Sequence, residues 1–185
     1  MTDRFLLRSL RPEDAGEPYS TWLADPEVMT PLNQVARSLS RDELRGTILS
    51  RDGINDFLIG IFVRHPSKFI GLYFIDADWH NKTVTFSVLI GDKSYWGSNV
   101  VAETRAVLLD HFFDVLGAEK AIGQPPARNI PSVFNYKAEG WRLEGTFKGQ
   151  LQSNLDDSRL DQFQFGLLKD EWFAMRKGKN SDSKS

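Results

Sequence analysis

The sequence has no cysteine, so a disulfide framework and a thiolate metal site are both excluded. It has no apolar run near the roughly 20 residues needed to span a bilayer. Its opening residues, Met1-Thr2-Asp3-Arg4, lead into a short strand-like run broken by Arg8, which is not a secretory core. No membrane association is expected, and a cytoplasmic location follows by default. Neither sign of charge dominates: 23 Lys and Arg against 25 Asp and Glu leave a net charge of −2. That balance argues against a basic nucleic-acid footprint, so no nucleic-acid partner is expected. The three histidines, His65, His80 and His111, lack ligand spacing, and no metal site is expected. What is there is ordinary for a globular chain: 185 residues, 41% apolar and 26% charged. That length suits one domain burying about 70% of its unfolded surface. The domain is expected over residues 1–173, with 174–185 as a disordered polar tail, since Lys177 to Ser185 carries no apolar stripe.

The chain is organised around Asp92 to Glu103. An apolar run rich in β-branched residues, Thr83 to Ile90, reads as a buried strand. Val101, Thr104, Leu108, Phe112 and Val115 follow at helical spacing over Val100 to Leu116. A tight turn containing Gly97 joins the two. The first turn of such a helix has unpaired amides and roughly half a positive charge, so an anion, typically phosphate, is its natural ligand.

Before that stretch, Phe5 to Leu10 reads as a strand. Pro12-Glu13-Asp14 opens a short helix, striped by Tyr19, Trp22 and Leu23 and stopped at Asp25-Pro26. Glu27 to Leu39 looks irregular. Ser40 and Glu43 form a capping-box pattern for a helix to about Arg51, with Leu44, Ile48 and Leu49 facing inward. Asp56–Arg64, Phe69–Asp76 and Thr83–Ile90 are strands whose short connections imply an antiparallel meander. Beyond the long helix, Lys120–Gly123 is expected beside Thr83–Ile90 in parallel, by the right-handed crossover rule. A helix over Ile130–Ala138 ends at Gly140. Trp141–Phe147 and Asp161–Leu168 are the last strands, with a polar loop from Lys148 to Leu160 between them.

A second constellation lies in Asn129-Ile130-Pro131-Ser132-Val133-Phe134-Asn135-Tyr136-Lys137-Ala138-Glu139-Gly140-Trp141. Ser132 and Tyr136, four apart, share one helical face. This segment resembles the Asn-x-x-Ala/Ser-x-x-x-Tyr-x-x-x-Gly-Phe signature of the GNAT (GCN5-related) N-acetyltransferases, with Trp141 in place of Phe. Ser94-Tyr95-Trp96-Gly97-Ser98-Asn99 resembles that family's acetyl-CoA pyrophosphate loop, Gln/Arg-x-x-Gly-x-Gly/Ala. Ser94 departs from it by lacking a long polar side chain. Asn99 departs from the usual small residue, though Asn is the next-best tolerated at positive φ. The order of elements is similar to the GNAT fold from Phe5 to about Trp172. The resemblance thus implies an α/β (α+β) GNAT fold, with a central mixed, mostly antiparallel twisted sheet and helices on both faces. Within the superfamily the chain looks most like the enzymes that acetylate ribosomal-protein N-termini and their amino-sugar-modifying relatives. Trp22-Leu23-Ala24-Asp25-Pro26-Glu27-Val28, Trp96-Gly97, Trp141-Arg142-Leu143-Glu144-Gly145 and Leu167-Leu168-Lys169-Asp170-Glu171-Trp172 carry that placement.

By that resemblance the chain is an N-acetyltransferase using acetyl-CoA as co-substrate. The acceptor is a primary amine, on a small molecule such as an amino-sugar nucleotide or at a protein N-terminus, and the protein is a monomer or a homodimer. The alternative is a degenerate member that binds acyl-CoA or a protein partner without chemistry. Acetyl transfer needs a neutral amine, a donor for the oxyanion and an acid for the departing thiolate. The family's oxyanion contact, on a strand bulge before the loop, would fall near Leu89 or Ile90. Trp96, Gly97, Ser98, Asn99, Val100 and Val101 would surround the cofactor. Tyr136 occupies the family's general-acid position, with Ser132 in reserve; its plainer reading is a tyrosine packing a helix on the sheet. Asn129 and Ser132 would touch the cofactor near its pantetheine arm or thiol, or merely cap the helix. No base is assigned: Asp76, Asp78, Glu27 and His80 are candidates that read equally as surface polar groups. Trp22, Glu27, Asp76, Trp79 and Met29 to Val35 would line the acceptor pocket. Arg37, Arg41 and Arg45 would favour an anionic acceptor.

Overall fold

The computed structural model describes residues 2–182. One seven-stranded sheet runs in the order β1-β2-β3-β4-β5-β7-β6. Its strands are β1 (Phe5–Ser9), β2 (Asp56–Val63), β3 (Lys68–Asp78), β4 (Thr83–Ile90), β5 (Lys120–Gly123), β6 (Arg142–Gln152) and β7 (Arg159–Leu168). All neighbours are antiparallel except β4 and β5, which pair in parallel as the crossover rule requires.

Period-two alternation along the strands sends side chains to two cores. On one face Phe5, Ile61, Tyr73, Ile75, Val84 and Phe86 meet helices α4 (Val100–Asp110) and α5 (Ile130–Ala138), together with Trp172 of α6 (Lys169–Asp182). On the other, Leu58, Phe62, Leu72 and Leu89 meet α1 (Tyr19–Ala24), α2 (Pro26–Met29) and α3 (Arg41–Leu49). The capping box at α3 forms as its sequence predicts, with Ser40 and Glu43 each holding the other's backbone amide.

Several local expectations need correction. The first helix is two pieces, a 3-10 turn at Pro12–Asp14 and then α1, because Ala15 returns to extended backbone. Part of the stretch after Pro26 is helical, as α2 and a 3-10 turn at Thr30–Leu32. Leu49 is 61% exposed, since Leu44 and Ile48 already fill the inward stripe of α3. Val115 is 68% exposed while Phe113 is buried. The last turn, His111–Val115, is a π-helix, and its wider turn rotates the faces that strict helical spacing assigns. The polar stretch Lys148–Leu160 is mostly strand: β6 and β7 form a long hairpin, with two extra β6 residues bulged between Phe147 and Leu151. Those residues are polar because β6 is the sheet's edge, wet on both faces. Finally, the expected tail from residue 174 is helical through Asp182, with Met175 against the core and Arg176 paired to Asp110. Residues 183–185 of that tail lie outside the described residues.

Candidate active site

The site begins where two strands part. Pairing between β4 and β5 stops at Thr85 and Ile122, and β5 ends one residue later at Gly123. From Phe86 onward the outer edge of β4 is therefore unpaired. The Tyr136 hydroxyl donates to the Phe86 carbonyl at 3.2 Å and Trp96 Nε1–H to the Ile90 carbonyl at 2.8 Å, both on that edge. Within an antiparallel strand a residue's N–H and C=O point the same way, and the direction alternates. The amides of Val88 and Ile90 consequently face the gap, whereas Leu89 turns towards its partner Leu72 in β3. Of the two predicted oxyanion contacts, Ile90 lies on the open edge and Leu89 does not. The expected bulge is absent: the register of β3 on β4 runs unshifted from Asp78/Thr83 to Gly71/Ile90. The gap is made by the short β5 instead.

The phosphate-loop candidate follows directly. Asp92 accepts from the amide and hydroxyl of Ser94 at 3.1 and 2.6 Å, and pairs with Lys68 at 2.5 Å. Burial works to raise its carboxyl, but those contacts outweigh it and hold the group below its ordinary value. Gly97 has φ +72 and open space where a Cβ would stand. Asn99 takes the left-handed conformation, φ 63 and ψ 18, and its side chain caps no amide. Both departures from ordinary backbone leave donors free: the amides of Gly97, Asn99, Val100 and Val101 make no backbone hydrogen bond among the described residues. Ser98 differs, its hydroxyl donating to the Tyr95 carbonyl at 2.6 Å. Arg4 braces the loop by donating to the Ser98 carbonyl and to Glu103. Unpaired amides before a helix are donors of the kind an anion takes.

α5 forms the other wall. Asn129 is buried and its Oδ1 accepts from the Ser132 amide at 3.2 Å, so the predicted cap is real. Tyr136 is 3% exposed, stacked on Phe165 at 5.1 Å between centroids, with Arg105 4.4 Å over its ring. Burial raises its phenol pKa, and the nearby Arg105 charge only partly opposes this, so the hydroxyl keeps its proton at neutral pH. A Cβ on Gly123 would stand 2.2 Å from the Tyr136 ring, so only glycine permits this approach.

A cavity of about 430 Å³ passes through the gap. Phe86, Ser87, Val88, Leu89, Asn129, Ser132 and Tyr136 line one part; Leu23, Met29, Leu32, Gln34 and Val35 line another. Of the segment Met29 to Val35, the residues Met29, Leu32, Gln34 and Val35 border this cavity. Four predicted acceptor residues are not among its walls. Trp22 is buried against Phe69, its ring where a Cβ of Gly91 would be. Glu27 pairs with Lys93. Asp76 sits beside Thr85 in the β3–β4 ladder. Trp79 donates to the Ile54 carbonyl at 2.7 Å, beyond the Asp78–Thr83 end of that ladder and opposite the phosphate loop. Asp78 and His80 belong to the same turn, Asp78 holding Asn81. A second, open depression of about 610 Å³ over Ser20, Thr21 and Pro26 holds none of the candidate chemical groups.

Two residues escaped the sequence reading. Arg105 is fully buried, donating twice from Nη1 to Glu139 at 3.0 and 3.1 Å; its only signal was a cation on the apolar face of α4. Arg128 joins Ser153, Asn154, Asn33 and the Thr30 carbonyl, tying the β6–β7 tip to the segment after α2. No spacing in the sequence announces that contact.

The family model described as an acetyltransferase (GNAT) domain matches residues 4–140. A Bacillus licheniformis protein named uncharacterized N-acetyltransferase p20 is 24% identical over 177 residues, 92% of this chain and 96% of that protein. Among solved structures, spermidine N-acetyltransferase from Vibrio cholerae, in complex with CoA and spermine, superimposes with a TM-score of 0.82 at 16% identity, covering 93% of this chain and 99% of that one. Ribosomal-protein-S5-alanine acetyltransferase from Vibrio fischeri gives 0.79 at 16% identity, covering 93% and 97%. At such identities the structural likenesses speak for the fold.

Proposed function

The chain belongs to the GNAT acetyltransferase family, and on that footing we propose that it is an acetyl-CoA-dependent N-acetyltransferase acting on a primary amine by direct attack. The amine belongs to a small molecule or to a protein N-terminus. The observation that carries the reading is the unpaired outer edge of β4, lying between the free amides of Gly97, Asn99, Val100 and Val101 and the protonated Tyr136. Acetyl-CoA would supply an acyl group already activated as a thioester. The amides of Gly97, Asn99, Val100 and Val101 would hold its diphosphate. Asn129 and Ser132 border the cavity further in, where the pantetheine arm would lie. The Val88 and Ile90 N–H groups are positioned to donate to a developing oxyanion, the kind of preorganised dipole that is worth most in a dry site. Tyr136 is the acid: a buried phenol whose proton is retained can protonate a departing thiolate, with Ser132 next in line.

Among the described residues, no carboxylate or histidine lines the cavity. The amine must therefore reach the gap neutral or lose its proton through water, which is easier for an α-amino group, titrating near 7.7–8.0, than for an alkyl amine near 10.4.

Tyr136→Phe tests the assignment. It should lower kcat about 10²-fold or more while acetyl-CoA still binds by calorimetry with near wild-type affinity. Unchanged kcat would move the acid role to Ser132 or to water. Failure of the wild-type protein to bind acetyl-CoA at all would remove the enzymatic reading.

A further inference from the structure

We infer that the acceptor is an anionic amine, its carboxylate or phosphate held by Arg51 and Arg37 at the α3 end of the cavity; this rests on the N-acetyltransferase reading and narrows its substrate class.

The cavity that reaches Ser132 and Tyr136 also reaches Tyr19, Thr47, Arg37, Arg51 and Phe74. Among the described residues, its charged lining residues are those two arginines. Arg51 follows the end of α3. Its Nε is buried and has no hydrogen-bond partner, and its guanidinium forms no ion pair among the described residues. A buried N–H left unpaired costs about 1–3 kcal/mol. Among the described residues Arg105 and Arg128 also have a buried, unpaired Nε, but their terminal nitrogens are bonded to Glu139 and to Ser153, Asn33 and Asn154; of the three, Arg51 alone lines the cavity and makes no side-chain hydrogen bond. The carboxylates nearby are spent elsewhere. Asp52 accepts from the amides of Ile54, Asn55 and Asp56. Glu43, beside Arg37, is held by the Ser40 amide and hydroxyl at 2.8 and 2.7 Å.

Arg4, Arg8, Arg105, Arg142 and Arg176 each have a carboxylate partner. Arg51 instead lies 5.8 Å from the Phe74 ring centroid, a contact that orients a guanidinium without neutralising it. Its planar fork is suited to two-point recognition of carboxylate or phosphate. The same positive field disfavours a second cation in the cavity. A polycationic amine meets no compensating carboxylate here.

The test pairs acceptors that differ only in the anion. Thiol release from acetyl-CoA is followed with O-phosphoethanolamine against ethanolamine, glucosamine 6-phosphate against glucosamine, and β-alanine against propylamine, with spermidine as the polycation. The expected result is kcat/KM at least tenfold higher for the anionic member of a pair. The phosphate and carboxylate pairs identify which anion is preferred. Arg51→Gln should raise KM for the anionic amine tenfold or more with a smaller effect on kcat, and Arg51→Lys should restore part of it. Equal kcat/KM within every pair, a clear preference for spermidine, or equal loss for both members in Arg51→Gln would overturn the proposal. A binding arm separates it from the enzymatic reading: O-phosphoethanolamine and ethanolamine are titrated into wild type and Arg51→Gln by calorimetry. Arg51-dependent binding of the phosphate without transfer to any amine would sink the enzymatic reading and retain the anion site. Transfer that ignores the anion would do the reverse.

Discussion

Replacing Arg105 by Met should destabilise the protein by about 2 kcal/mol. The guanidinium side chain is 1% exposed and its partner Glu139 10% exposed, at 3.0 Å. Removing one member of such a buried pair typically costs about 3–5 kcal/mol, because the other charge loses its compensation. Methionine fills similar volume, so little cavity term is added. Against the loss stands a gain: Arg105 Nε is buried without a partner, and deleting it recovers about 1–3 kcal/mol. The net figure follows from that difference. Urea unfolding of wild type and variant should show a midpoint lowered by about 1 M or more at an unchanged slope. Arg105→Met/Glu139→Gln should recover most of the loss, since neither charge is then buried. The guanidinium also sits over the Tyr136 ring, so the single variant should lose turnover as well. A loss under about 1 kcal/mol in the single variant, or a double variant no better than the single, would refute this account of the pair.

Asn99→Val should cost about 1–3 kcal/mol, because a β-branched residue is strained at φ 63, and should weaken acetyl-CoA binding. Asn99→Gly should spare both, as calorimetry and thermal melts will show. Asp14 contributes stability with a defined pH window. Burial acts to raise its carboxyl, but Arg8 at 2.7 and 2.8 Å and the Arg11 amide at 2.7 Å pull it below its ordinary value of 3.8. A depressed folded pKa means the contribution is whole above the unfolded value and fades as pH falls through the folded one. Wild type should therefore melt above Asp14→Asn at pH 7, the two converging only in the acid range below pH 3.8; a constant gap down to pH 2 would count against it.

The meander, the crossover to β5 and both helix signatures were legible because each is written locally: period-two runs, a capping box, a glycine stop. The left-handed turn before α4 was legible down to Asn99, since few residues tolerate its backbone angles. What escaped depends on partners distant in sequence. Arg105 makes sense only beside Glu139, and Arg128 only beside Asn33 and Asn154. Trp22 and Trp79 are expected in the acceptor pocket because loops carry specificity on a fixed scaffold, but aromatic area is equally at home in a core, and burial claimed Trp22. Val115 followed strict 3.6-residue spacing into a turn that abandons it. The polar β6 extension looked like a loop because an edge strand needs no apolar face.

The shortness of β5 has one more consequence. A sheet is normally a wall, yet the missing ladder beyond Gly123 turns this one into a wall with a slot. On the proposed reading, a long coenzyme would lie in the slot from the α4–α5 side and an amine would approach from the α1–α3 side. Neither visitor would need the other's doorway, so both would be resident at the same moment and depart independently.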